Sequence, residues 1–97
     1  MYIITQASWK YHYDDEKPEI LGYHHDFEKL VDVFTEKAKI LENDDNHDYK
    51  DIDLEVIPDK KEIHLSWNDL HEKWHYYAVV QPMPIEVPHF DGIKFLR

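Results

Sequence analysis

Residues 27–42, with the sequence FEKLVDVFTEKAKILE, decide the fold class of this chain. Apolar side chains recur in this stretch at intervals of three and four residues, at Phe27, Leu30, Val31, Phe34, Ala38 and Leu41. The spacing predicts an amphipathic helix over about residues 26–42, with one apolar stripe that packs against a core. We expect Asp26 to cap the first turn by accepting a hydrogen bond from a free backbone N–H, and Asn43 to follow the last turn.

Stretches in which apolar and polar residues alternate lie on both sides of this helix and predict β-strands. Two predicted strands precede the helix: the alternating residues 2–13, and residues 20–23, which we expect to form a short strand that returns beside the first. Three follow it, at residues 51–57, 62–67 and 74–80. The order β-β-α-β-β-β predicts a single α+β domain over residues 1–97, with the helix packed on one face of an antiparallel sheet of four to five strands.

Residues 82–97 are rich in proline, and we expect an extended C-terminal segment there. Residues 85–87 are expected to form a short edge strand, and residues 93–96 to dock as a last strand. Four long strands present more apolar surface than one helix covers, and their second face carries tyrosine, tryptophan and histidine. We therefore expect a homodimer that forms through the sheet.

The composition excludes several classes of function. The 97 residues include 21 acids and 11 bases, for a net charge of −10, and Arg97 is the single arginine. This charge disfavours direct binding to nucleic acid or to an anionic membrane. The chain has no cysteine for thiolate chemistry, and its two glycines are too few for a phosphate-binding loop. Because residues 1–4 lack the basic start of a signal peptide, we expect a cytoplasmic protein.

The segment His71-Glu72-Lys73-Trp74-His75 fits the H-E-x-x-H pattern. On a helix, His71 and His75 would bind one zinc ion and Glu72 would act as general base, which describes a minimal zinc hydrolase. On a hairpin flanked by Trp67 and Trp74, the same residues would be ordinary loop and strand residues. We favour the hairpin, because the residues that follow have the pattern of a strand, and we therefore expect no cofactor.

Two other stretches have the composition of metal sites. Asp44, Asn46, Asp48 and Glu55 occupy positions 1, 3, 5 and 12 of a calcium loop, but Tyr49 stands where the loop needs glycine. His24, His25 and Asp26 could bind a metal together with His12. For both stretches we favour solvated surface residues, with Asp26 as the helix cap.

Residues 42–55 carry seven acids and one base. One interpretation is a solvated surface that keeps the protein soluble. The alternative is a face that binds a basic protein partner, formed by Asp44, Asp45, Asp48, Tyr49, Asp51, Asp53 and Glu55. Tyr11, Tyr13, Trp67 and Trp74 would add aromatic anchors. We expect a small non-enzymatic interaction protein, such as an inhibitor or accessory protein of a nucleic-acid-handling partner, with the zinc hydrolase as the alternative.

Overall fold

The structure, a computed structural model, describes residues 1–10, 18–44, 49–70 and 72–97. The elements follow one another as β1 (Tyr2–Lys10), β2 (Glu19–His24), α1 (Phe27–Glu42), β3 (Lys50–Ile57), β4 (Glu62–Asn68), β5 (Glu72–Val80) and the short helix α2 (Gly92–Phe95). The predicted α+β class, the single long helix and the strand order along the chain are confirmed.

The five strands form one antiparallel sheet in the order β2-β1-β5-β4-β3. The predicted hairpin of β4 and β5 is confirmed, with Trp67 directly opposite Trp74. The first and last strands pair along their whole length, from Tyr2 opposite Val80 to Lys10 opposite Glu72. β1 therefore has a neighbouring strand on each side. Its buried residues point to both faces of the sheet, with Ile4 on one face and Ile3, Thr5 and Ala7 on the other.

Helix α1 lies on one face of the sheet, which we call the helix face. The Asp26 side chain accepts a hydrogen bond from the Lys29 backbone N–H at 3.2 Å, so the predicted N-cap is confirmed. The buried side of the helix consists of Phe27, Leu30, Phe34, Ala38 and Leu41. These side chains join Ile4, Ile63, Leu65, Trp67 and Ala78 of the sheet in one core. At the other end Asn43 is itself the C-cap and returns both its backbone N–H and its side-chain amide to the Lys39 carbonyl.

The C-terminal segment differs from the prediction of two further strands. Residues 85–87 form no strand, and within the described residues the backbone of the segment pairs with the sheet at a bridge between Tyr23 and His89. Residues 92–95 form a helical turn because the Asp91 carboxylate accepts from the backbone N–H groups of Ile93 and Lys94. Phe90 and Phe95 are buried and extend the core on the helix face. The segment therefore covers part of the apolar surface that one helix leaves open.

Candidate protein-interaction face

The face of the sheet opposite α1, which we call the helix-free face, collects polar side chains from three adjacent strands. Successive residues of a strand point to opposite faces of the sheet. The residues that alternate with the core residues along β3, β4 and β5 therefore point to this side. They are Asp53 and Glu55 from β3, Glu62, His64 and Ser66 from β4, and Lys73, His75 and Tyr77 from β5. In sequence these residues are spread over 25 positions, from 53 to 77, and the sheet places them side by side.

Two histidines at the centre of this face are hydrogen-bonded to each other. His64 Nδ1 lies 3.0 Å from His75 Nε2, and His64 Nε2 lies 3.1 Å from Glu62 Oε1. The two imidazole rings stack with their centroids 5.2 Å apart, and the Tyr77 ring lies 5.9 Å from His64 and 4.8 Å from His75. Three rings and a carboxylate are thus fixed in one orientation on the sheet.

A shallow depression of about 270 Å³ lies beside the histidine pair. Its lining residues come from all three strands and are Asp53, Glu55, Ile57, His64, Ser66, Lys73 and His75. Asp53 and Glu55 are exposed, and the Glu62 side chain retains 29% of its exposure. In the described part of this face, three carboxylates therefore outnumber the single ammonium group, that of Lys73, and the local charge is negative at neutral pH.

The structure divides the predicted partner-binding residues into separate groups. Asp53 and Glu55 lie on the helix-free face, as described. Asp51 lies in a β-bulge with a φ of 55°, where its carboxylate accepts a hydrogen bond from the Asn68 side-chain amide at 2.7 Å. Asp45 and Asp48 lie outside the described residues.

Asp44 and Tyr49 belong to the opposite side of the sheet. Tyr49 packs against the core, and its ring centroid lies 6.4 Å from that of Trp67. Burial, followed by the nearby charges of Asp44 and Asp69, raises the pKa of the Tyr49 hydroxyl. These two residues therefore do not lie beside Asp53 and Glu55, and the described members of the predicted group do not form one continuous face.

Of the two tryptophans proposed as partner anchors, Trp67 is a core residue and Trp74 packs against the core. Trp67 is 5% exposed, and its ring stacks on Tyr76 with centroids 5.2 Å apart. The Trp74 indole N–H donates to Asp69 Oδ2 at 3.0 Å, so this side chain is engaged within the hairpin. Tyr11 and Tyr13 lie outside the described residues. On the helix-free face, the half-buried aromatic side chain beside the two histidines is instead that of Tyr77.

The helix that the H-E-x-x-H pattern requires does not form over residues 72–75. Glu72–Val80 is strand β5, in which Glu72 and His75, three residues apart, point to opposite faces. The helical arrangement that the zinc alternative needs is therefore absent from residues 72–75. His71 lies outside the described residues.

The other two candidate metal sites are not assembled either, as far as the structure describes them. Glu55 of the calcium-loop pattern lies within β3, and Asn46 and Asp48 lie outside the described residues. His24 Nδ1 accepts a hydrogen bond from the Asp26 backbone N–H at 2.9 Å, and its ring lies 4.9 Å from that of His89. Within the described ranges no three histidine or carboxylate side chains converge on one point as metal ligands do.

Sequence reasoning missed three residues of this face, Glu62, His64 and Tyr77, and considered His75 only as a zinc ligand. Each occupies a polar position of an alternating strand, which by itself is ordinary. The available signal was the hairpin register, because Trp67 opposite Trp74 places Ser66 opposite His75 and leaves His64 diagonal to it. The grouping of these residues is therefore a property of the pairing of two strands, which no single motif expresses.

No protein-family model, curated protein or solved structure matches this chain. In the parts of the chain that the structure describes, no helix is long and apolar enough to cross a membrane.

Proposed function

We propose that this protein is a non-enzymatic interaction module that binds a protein partner with a basic surface through its helix-free face. The observation that carries the proposal is the group of three carboxylates on this face: Asp53 and Glu55 line the depression, and Glu62 is hydrogen-bonded to His64, which also lines it. A lysine or arginine side chain of the partner would enter this depression, because its charge complements the three carboxylates. A partner that handles nucleic acid has such a basic surface, and binding there would block its substrate.

The rest of the face supplies what a protein interface needs besides charge. Tyr77 is held by ring contacts with His64 and His75, so little conformational entropy is lost when a partner packs against it. His64 donates a hydrogen bond to Glu62 and shares another with His75, and these bonds fix the polar groups before binding. A net charge of −10 would also attract a basic partner over a distance of about a Debye length and speed association at low salt.

The expected homodimer is the competing occupant of the same face. In a twofold dimer through the β3–β5 half of the sheet, Asp53 and Glu55 of one copy would approach the like charges of the other. The repulsion between like charges would weaken a dimer, whereas the attraction between these carboxylates and a basic surface would strengthen the complex with a basic partner. Charge complementarity therefore favours a basic partner over a second copy.

The test uses a synthetic tetra-arginine peptide as the probe of a basic surface. The double variant Asp53→Asn/Glu55→Gln removes two charges from the helix-free face. The control Asp32→Asn/Glu36→Gln removes two charges from the exposed side of α1, so both proteins have the same net charge. At low salt we expect the first variant to weaken peptide binding about fivefold to tenfold and the control to change it less than about twofold.

NMR chemical-shift changes during the same titration locate the peptide. The proposal predicts changes centred on the amides of Glu55, His64 and Tyr77 that decrease as salt is added. Equal weakening by the two double variants, or shift changes spread over both faces, would show that only the net charge acts. A dimeric mass in light scattering, with the Tyr77 amide altered by dilution alone, would assign the face to a second copy and overturn the proposal.

A further inference from the structure

A second cavity, of about 400 Å³, lies on the helix face, on the other side of the sheet from the carboxylates described above. It is bounded by α1, the strands and the C-terminal segment, and it is formed by a different set of side chains. Three aromatic residues line it: Tyr76, Phe90 and Phe95. The Phe95 ring lies 5.0 Å from the Tyr76 ring and 5.4 Å from the Phe90 ring, and Leu21 adds an aliphatic side chain. The cavity therefore has a preformed apolar wall.

The charge of this cavity is opposite to that of the chain as a whole. Lys37, Lys94 and Arg97 line it, which are three of the chain's 11 bases. The carboxylate that also lines it, Asp91, is engaged as the cap of α2 and accepts from the N–H groups of Ile93 and Lys94. In a chain with 21 acids, a cavity with three bases and one occupied acid is a distinct local environment. We call it the cationic pocket.

Five polar side chains of the cationic pocket, the three cations, Tyr76 and Gln6, have no ion-pair or hydrogen-bond partner in the described part of the chain. None of the three cations forms an ion pair with a described carboxylate, and the Lys37 ammonium lies 5.5 Å from the centroid of the Phe95 ring instead. Likewise, neither the Tyr76 hydroxyl nor the Gln6 amide has a hydrogen-bond partner among the described residues. Hydrogen-bond donors of three kinds thus face one cavity without an acceptor.

Burial makes an anion favourable at this position. Desolvation lowers the pKa of Lys37, which means that the protein interior disfavours its charge. Burial, with smaller effects from Glu19 and Tyr49, raises the pKa of Tyr76, so its hydroxyl keeps its proton as a donor. An anion placed between Lys37 and Tyr76 would offset the desolvation of the ammonium and accept the hydroxyl hydrogen.

From the three cations and the aromatic wall together, we propose that the cationic pocket binds a small organic anion, one that carries a phosphate or carboxylate group on a flat apolar body. The anionic group lies between Lys37, Lys94 and Arg97. The apolar body packs against Phe90 and Phe95. This site is independent of the helix-free face, so the two proposals stand or fall separately.

The experiment is a titration of the complete chain with phenyl phosphate, followed by NMR and calorimetry. Benzoate is the carboxylate counterpart, inorganic phosphate lacks the apolar body, and benzyl alcohol lacks the charge. We expect saturable binding of phenyl phosphate or benzoate with a Kd of about 1 mM or below, and weaker binding of the other two probes. The shifted amides should be those of Lys37, Tyr76 and Phe95.

Two matched variants separate a site from general attraction. Lys37→Gln removes the half-buried base of the pocket, whereas Lys39→Gln removes an exposed base of the same helix. We expect the first to weaken binding about tenfold, as for the loss of one charge-assisted hydrogen bond, and the second to leave it within about twofold. Equal effects of the two variants, equal binding of benzyl alcohol, or no saturable binding of either aromatic anion would overturn the proposal. Circular dichroism checks that both variants keep the fold.

Discussion

His64 Nδ1 and His75 Nε2 lie 3.0 Å apart across the β4–β5 pair, so the two imidazoles share one hydrogen. The position of that hydrogen follows from Glu62, because a carboxylate accepts and His64 Nε2 must therefore donate to it. In the neutral pair, His64 Nδ1 then accepts from His75 Nε2. Both rings should be Nε2–H tautomers.

The first prediction concerns the energy of this pair. We expect His75→Ala to lower the free energy of unfolding by about 1–2 kcal/mol, because it leaves His64 Nδ1 without its donor and removes ring contacts with Tyr77. Urea unfolding measures the change, and imidazole nitrogen shifts report the tautomers. The control His25→Ala changes an exposed ring and should stay within about 0.5 kcal/mol. A loss of equal size in both variants, or an Nδ1–H tautomer at His64, would contradict the arrangement.

The second prediction concerns Gly22, which joins the C-terminal segment to the sheet. Its φ is 154°, and a Cβ at this position would lie 2.6 Å from the Pro88 carbonyl oxygen and 2.9 Å from the Phe90 nitrogen. The next residue, Tyr23, exchanges backbone hydrogen bonds with Pro88 and Phe90 at 3.0 and 2.8 Å. Gly22→Ala therefore requires the docked backbone to move.

We expect Gly22→Ala to lower the free energy of unfolding by about 2 kcal/mol or more, measured by thermal or urea unfolding. The matched control is Gly92→Ala, where the three atoms nearest to the added methyl all belong to the Val33 side chain, the first at 3.1 Å. A side chain yields more easily than a backbone, so this variant should cost less than about 1 kcal/mol. If the two costs are equal, the close approach at Gly22 does not limit stability.

The third prediction concerns Asp69, which closes the hairpin between β4 and β5. Its carboxylate accepts from the Glu72 backbone N–H at 3.1 Å and from the Trp74 indole N–H at 3.0 Å, while its own N–H donates to the Glu72 carbonyl. Asp69→Ala should cost about 1–3 kcal/mol and shift the Trp74 indole N–H resonance. Asp59→Ala, in the exposed turn before β4, is the control and should change neither the free energy of unfolding nor the Trp74 indole resonance appreciably. An unshifted indole resonance in Asp69→Ala would show that the hydrogen bond is not formed.

Local patterns were sufficient to predict the helix and the strands. Each pattern arises within a single element that buries one of its sides. Helix α1 shows it as the three- and four-residue spacing from Phe27 to Leu41, and β3 and β4 show it as alternation. The helical turn at residues 92–95 was missed because its cause is a cap: Asp91 satisfies the first N–H groups, and Phe95 then reaches the core. Three prolines upstream suggested a continued extended chain.

The candidate sites depend on long-range pairing, which alternation alone does not specify. His64 and His75 meet because β4 and β5 pair in one particular register. Lys37 and Arg97 line one cavity because the C-terminal segment packs beside α1. Conversely, Asp53 and Tyr49 are close in sequence but lie on opposite sides of the sheet. Sequence proximity therefore suggested a continuous acidic stripe that the sheet divides.

The last prediction is a pH dependence that originates at His24. Burial lowers the pKa of His24 from its usual 6.5, and the nearby charges of His89 and Lys29 lower it further, while Asp26 acts in the opposite direction. The geometry agrees, because His24 Nδ1 accepts the Asp26 backbone N–H at 2.9 Å and loses that ability when protonated. The folded state thus binds a proton at His24 less readily than the unfolded chain.

The sign follows from this difference in proton binding. Above pH 6.5 His24 is neutral in both states, and the stability that its lowered pKa represents is fully present. As the pH falls below 6.5 and through the folded-state pKa, the unfolded chain takes up the proton first, and stability is lost. Between about pH 8 and about pH 5 the original protein should therefore lose more unfolding free energy than His24→Asn, which does not titrate. Urea unfolding across this range measures both proteins, and their difference at about pH 8 serves as the reference for the substitution itself. Parallel curves for the two proteins would show that His24 does not contribute to the pH dependence.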